Sequence, residues 1–332
     1  MLSYFVRRLL VMIPTLLVIS LVVFVIIQLP PGDYLETLIS ELQAQGESVD
    51  SARIAFLREQ YGLDKPLIEQ YWLWLFGLLQ GDLGYSFEFE LPVSQVIGDR
   101  FWFTALLAIS TTLFTYIIAF PIGIYSAVRQ YSIGDYAATF VGYFGLAMPN
   151  FLFALVLMWY LNSWLGLSIG GLMDPKYIDA PWSLDKVISV INHLWIPMIV
   201  IGTSGTAAMI RRLRANMLDE LQRQYVITAR AKGLSPLKTI LKYPLRMSLN
   251  HVIADIGQIL PAMVSGSALV SIVLDLPTNG PLLLRSLQSQ DMYLAGAFLM
   301  FEAVLVVIGV FISDVLLAML DPRIRLGEGA SK

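Results

Sequence analysis

Long apolar runs, separated by short polar stretches, set the pattern of this chain. Six of them approach or exceed the roughly 20 residues that a helix needs to cross a bilayer. They fall at roughly 9–29, 101–128, 135–162, 194–212, 252–274 and 293–320. Barrel strands alternate apolar and polar residues over about 10 positions, whereas these runs are apolar on every face. The pattern predicts an all-α polytopic membrane protein with six transmembrane helices. Pro121 in "AFPIG" and Pro149 in "GLAMPNFLF" predict helix breaks in the second and third spans. Breaks of this kind are tolerated where neighbouring groups or a wet cavity satisfy the freed backbone, so Pro149 is a candidate path-lining residue. A kink that merely improves packing is the plainer alternative for either proline.

Composition agrees with the pattern. Hydrophobic residues make up 57% of the 332 positions and charged residues only 14%, against about 25% charged in a soluble domain. Mean hydropathy is +0.68. The absence of cysteine excludes disulfides, thiol nucleophiles and thiolate metal sites. The first run has the basic start and apolar core of a signal sequence. Its core is too long for an h-region, and "QLPPGDY" offers no small-residue cleavage site, so an uncleaved first span is expected.

Charge distribution sets the orientation. Arg7 and Arg8 precede the first span, and Arg129 lies between the second and third. Arg211, Arg212, Arg214, Arg223, Arg230, Lys232, Lys238, Lys242 and Arg246 crowd the link between the fourth and fifth, and Arg323 and Arg325 follow the sixth. With an even number of spans these segments share one side, which the positive-inside rule makes the cytoplasm. Both termini are therefore expected there. The stretch between Pro30 and Asp99 is acidic and too long for a simple connection, so it reads as a small extracytoplasmic subdomain. Within it Ile68, Trp72, Leu75 and Leu79 share helical spacing, with Gly81 as a stop, as in a helix lying on the membrane surface. Residues 170–195 read as a long extracytoplasmic link whose Trp182, Asp179 and Asp185 would suit a cargo or a plain surface equally. The domain plan is a first helix plus extracytoplasmic subdomain (1–100), a five-helix core with a cytoplasmic loop at about 213–248 (101–320), and a cytoplasmic tail (321–332).

The chain contains no G-x-x-x-x-G-K-[ST] phosphate loop, and no "GK" pair at all. If ATP powers it, ATP is bound elsewhere. The acids within the spans are few, and Glu302 is the best placed to serve ion coupling or a path. The basic loop "ITARAKGLSPLKTILKYPLR" carries the most information. Ala229 and Gly233 are four apart and would form a small-residue strip on one helix. After "GLSP" a second short helix begins, with Ser235 as cap and Pro236 at its first position. Leu237, Ile240 and Leu241 lie on one face, Lys238 and Lys242 on another. Such a helix on a glycine elbow suits insertion into a cleft of a cytoplasmic protein or attachment to lipid phosphates, and spacing does not separate the two.

"QYVITARAKGLSPLKTILKYPLR" resembles the cytoplasmic EAA loop of ATP-binding-cassette importer permeases of the dipeptide/oligopeptide family. "YFVRRLLVMIPTLLVISLVVF", "YGLDKPLIEQYWLWLFGLLQGDLGYSF", "AMPNFLFALVL" and "LDPRIRL" resemble other parts of the same family in the same order. The resemblance implies a type I importer permease fold. It also implies a second homologous permease subunit, two cytoplasmic ATP-binding subunits that hold ATP and Mg, and an extracytoplasmic solute-binding protein. No cofactor is then expected in this chain, no bond chemistry, and no nucleic-acid partner beside the lipid bilayer. Residues implied in coupling to the ATPase are Ala229, Gly233, Leu234, Ser235, Pro236, Leu237, Lys238, Ile240 and Leu241. The acid that names the motif is absent, since Ile227 stands six positions before Gly233. Cargo is expected to be oligopeptides, with oligosaccharides second and opines or nickel behind.

Two rivals stand further off. An ion-coupled carrier working alone leaves the basic loop unexplained. Gly202-Thr203-Ser204-Gly205 matches the pattern around the serine of rhomboid proteases, and His251 could activate Ser204. His251 and Asp255, four apart, could also share a metal, but two ligands without a third are a weak signal.

Overall fold

The computed structural model describes residues 2–29, 64–166, 170–178, 180–250, 252–253 and 267–320. Among them, helix dominates. α1 (Leu2–Gln28) begins well before the predicted ninth position. α2 (Leu67–Leu79) leads to a two-stranded antiparallel ribbon of β1 (Tyr85–Ser86) and β2 (Leu91–Pro92), in which Tyr85 pairs Pro92. α3 (Val93–Val128) starts at Val93 rather than near 101 and continues unbroken through Pro121, so the break expected there does not occur. α4 (Ile133–Ala147) and α5 (Asn150–Leu165) replace the predicted third span by a pair bent through 99°. Pro149 forces this bend, because the residue before a proline is driven out of the helical region. Met148 is extended, with ψ 119°.

α6 (Leu184–Leu221) is 38 residues long and exceeds the predicted 194–212 at both ends. Its start lies inside the stretch read as a link, where the Ser183 hydroxyl accepts from the Lys186 amide as an N-cap. The basic loop holds α7 (Gln224–Ala231) and α8 (Pro236–Lys242). α9 (Ala268–Val273) and α10 (Asn279–Gln288) precede α11 (Met292–Leu320). Among the described residues, four single helices are long and apolar enough to cross a membrane, namely Phe5–Gln28, Val93–Val128, Leu184–Leu221 and Met292–Met319, and the bent pair makes a fifth candidate. The predicted span at 252–274 lies mostly outside the described residues, as do His251, Asp255, Asp179 and the tail.

α3 and α6 pack along each other, α4 leans on α6, and α1 runs beside α11. Arg8 near the start of α1 pairs with Asp314 near the end of α11, at 3.1 Å, while Gln28 at the other end of α1 donates to the Met292 sulfur. The two helices are therefore antiparallel. One core half joins Phe103, Leu161, Leu172, Val190 and Val270, with the ribbon and α10 packed nearby on Val93, Leu282 and Phe298. The other half joins Ala119, Ala127, Met209, Leu213, Met217 and Val252. The basic segments about Arg8, Arg129, Arg214 and the α7–α8 loop thus fall on one side and the ribbon on the other.

Of the helically spaced Ile68, Trp72, Leu75 and Leu79, α2 buries only Leu75. Trp74 and Leu75 are buried against Val23 and Phe24 of α1 and partly against Tyr293 and Leu299 of α11. Ile68, Trp72 and Leu79 point outward. Beyond Glu69 and Gln70 the helix is apolar, so periodicity alone cannot choose its buried side. Gly81, with φ +83°, ends it as expected.

Candidate functional site: the basic loop and its supports

α6 passes into α7 across only Gln222 and Arg223. α7 is seated by Val226 and Ala229, which are 0% and 4% exposed. It closes with paired backbone bonds, from the Gly233 amide to the Arg230 carbonyl (2.9 Å) and from the Leu234 amide to the Ala229 carbonyl (3.2 Å). This is a Schellman cap, which places the residue after the helix in the left-handed region. Gly233 has φ +80° and nothing within 4 Å of where a Cβ would sit. The small-residue strip expected from Ala229 and Gly233 is therefore not formed: Ala229 is in the helix and buried, Gly233 is past its end and exposed.

Ser235 stands at the N-cap of α8, but its side chain accepts no bond from the helix. The predicted cap is replaced by Pro236 in the first turn and by the Thr239 amide donating to the Ser235 carbonyl at 2.9 Å. The predicted apolar face also divides. Thr239 is buried at 1% exposure and Ile240 packs on the cluster of Met209, Leu213 and Met217. Leu237 and Leu241 remain 66% and 52% exposed, between exposed Lys238 and Lys242. α8 is thus anchored on one side and presents an apolar pair ringed by cations on the other. Tyr225 and Tyr243 meet at 6.1 Å across the elbow, bringing the start of α7 to the end of α8.

The two candidate path residues lie on different helices, and no hydrogen bond or ion pair joins them among the described residues. Pro149 is exposed at the α4–α5 bend. Glu302 is half-buried on α11. In the stretch before α6, Trp182 lies 5.9 Å from the Phe103 ring, and Lys186 sits above it while donating to the Ile178 and Ala180 carbonyls. Trp182 is thus partly engaged in closing this turn. The Gly202–Gly205 sequence lies in the middle of α6, and a Cβ on Gly202 would come within 2.6 Å of the Phe114 ring. Close helix packing accounts for the small residues there.

Two polar sites escaped the reading of spacing. Asp135, in the first turn of α4, receives both the Nε and an Nη of Arg214 at 2.8 Å. Ser132 and Asp135 have the spacing of a helix cap, and the Ser132 hydroxyl does accept from the Asp135 amide. The partner, 79 residues away, had no local signal. On the opposite side Asp291, fully buried, accepts from the Ser86 hydroxyl and from the Glu88 and Leu294 amides. It fastens the ribbon to the head of α11. Burial pushes its carboxyl above the usual carboxylate range, against the pull of these donors.

Comparison with known proteins agrees with this layout. Residues 119–326 match the family described as "Binding-protein-dependent transport system inner membrane component", and residues 1–108 match its N-terminal counterpart. The chain is 37% identical over 326 residues to the oligopeptide transport system permease protein AppB of Bacillus subtilis, covering 98% of this chain and 100% of that one. It is 34% identical to the glutathione transport system permease protein GsiC of Pectobacterium atrosepticum and 29% identical to the dipeptide transport system permease protein DppB of Escherichia coli K12, each over 98% of this chain and 99% of the relative. A multi-pass helical chain with its cationic segments gathered on one side, matched along almost its whole length, belongs to the family of inner-membrane components of binding-protein-dependent transport systems.

Proposed function

We propose that this chain is a permease subunit that imports oligopeptides, forming one wall of the path and coupling it to cytoplasmic ATP-binding subunits. The names of its relatives, which include oligopeptide, dipeptide and glutathione permeases, support a peptide cargo. Two ATP-binding subunits, a second homologous permease and an extracytoplasmic binding protein complete the assembly, and ATP with Mg binds outside this chain, which has no phosphate loop. The observation that carries the coupling role is α8, whose buried Thr239 and partly buried Ile240 hold it while Leu237 and Leu241 stand uncovered among lysines. A helix displayed in this way fits a groove on a soluble partner.

The cycle then follows from linkage. ATP closes the two ATP-binding subunits, α8 moves with them, and the permeases exchange inward-open for outward-open forms. A loaded binding protein favours the outward form and so ties delivery to hydrolysis. Cells with and without the gene, fed a pool of short peptides and oligosaccharides, test this reading by mass spectrometry of the medium. Peptides alone should persist in the deletion strain. Persistence of sugars instead would change the cargo, and no difference in either would sink the proposal.

A further inference from the structure

We propose that the Arg214–Asp135 pair is a positioning joint of the transport cycle, through which movement of the cytoplasmic loop reaches the bent α4–α5 pair. This deepens the function proposed above and rests on it. Asp135 is 2% exposed and gathers three parts of the chain. Arg214 comes from the last two turns of α6. The Ser126 hydroxyl, at 2.7 Å, comes from the end of α3, and the Tyr131 amide, at 2.9 Å, from the turn between α3 and α4. Tyr131 itself has φ +63°, a left-handed conformation that costs a non-glycine residue free energy and that this bond helps to hold.

The joint sits between the two elements that the transport cycle must connect. Arg214 is on the helix that passes into α7 with two residues between. Asp135 opens the helix that ends at the Pro149 bend. Beyond the joint, α4 meets α6 through small or apolar groups. Gly145 lies against Thr203 and Gly142 near Ala207. Beside them an apolar groove of about 570 Å³ opens between α3, α4 and α6. Small faces let two helices approach closely through non-directional contact, whereas a bidentate guanidinium–carboxylate pair is directional. α4 is therefore held to α6 by a directional polar bond at the loop end and by close apolar contact beyond it. A displacement of the loop enters α4 at Asp135 and is passed to α5 at the bend. A buried ion pair is a poor device for stability alone, since apolar residues of like volume often serve as well. It is a good device for fixing one geometry.

The test uses the whole transporter, with its partner permease, ATP-binding subunits and binding protein, in proteoliposomes. The readout is peptide taken up per ATP hydrolysed, with and without loaded binding protein. This ratio does not depend on how much folded transporter is present. Asp135→Asn should still co-purify with its partners, while uptake per ATP falls about twofold to thirtyfold, the range seen for mutations that alter coupling between sites. Asp135→Glu should recover part of the loss. Should Asp135→Asn fail to assemble, Arg214→Lys, which keeps the charge but not the fork, is expected to lower the ratio in the same direction. An unchanged ratio in the variant that assembles overturns the proposal, including the case where only the amount of complex declines. A wild-type complex that neither hydrolyses ATP nor takes up peptide would instead overturn the parent reading.

Discussion

Gly233 shows how one residue type can decide the shape of a site. Its φ of +80° is required by the cap that ends α7, and open space surrounds it. Gly233→Ala therefore clashes with nothing and acts through the backbone alone, at a cost of about 1 to 2 kcal/mol. We expect the protein to accumulate normally in membranes and peptide uptake to fall several-fold. Uptake equal to wild type would show that the elbow's angle is unimportant. Asp291 makes a prediction of the opposite kind, about pH. Its folded-state carboxyl holds its proton more tightly than an exposed aspartate, which titrates near 3.9. Its contribution to stability is complete below that value and is lost as pH rises through the raised value. Thermal stability in detergent should decline over this window in the wild type and decline less steeply in Asp291→Asn. Equal slopes would remove Asp291 as the cause.

At the scale of elements, α8 is the part to test by substitution. Leu237→Asp with Leu241→Asp alters only exposed side chains, so membrane insertion should be unaffected. Co-purification of the ATP-binding subunits should fall about thirtyfold or more, since buried interface anchors are worth about 2 kcal/mol each. Retained co-purification would place the contact elsewhere. The α7–α8 loop was legible in the sequence because its signals are local: a glycine, a proline in the first turn, and a change in periodicity around them. Ser235 was misread as a side-chain cap because proline and backbone bonds alone secure that end. The bend at Pro149 was legible, its 99° angle was not, and Pro121 gave no break. The buried face of α2 was illegible for another reason. With the helix apolar beyond Glu69 and Gln70, the choice falls to its neighbours Phe24 and Gly296, which lie far away in sequence. The Asp135–Arg214 pair escaped likewise, since nothing near Asp135 announces a partner 79 positions on.

Across the whole molecule, the contacts of Arg8 with Asp314 and of Arg214 with Asp135 gather the cationic ends on one side. The chain lacks cysteine, so single cysteines can report this arrangement directly. A membrane-impermeant thiol reagent added to spheroplasts should label Trp182→Cys and Glu90→Cys but not Tyr131→Cys or Leu237→Cys, all four positions being exposed. The reverse pattern would invert the assigned orientation. Arg8→Ala should leave the labelling intact and cost no more than about 1 kcal/mol, because that pair is partly open to solvent. The length of α6 has a mechanical consequence. Its 38 residues make a rod of about 57 Å, nearly twice the roughly 30 Å of hydrocarbon it crosses. Pivoted near its middle, such a rod has arms of about 28 Å, so a tilt of about 10° swings its tip by about 5 Å, close to one helical turn. Under the function proposed above the protein is geared: a step of one turn at the ATP-binding subunits demands only a slight rotation where cargo passes.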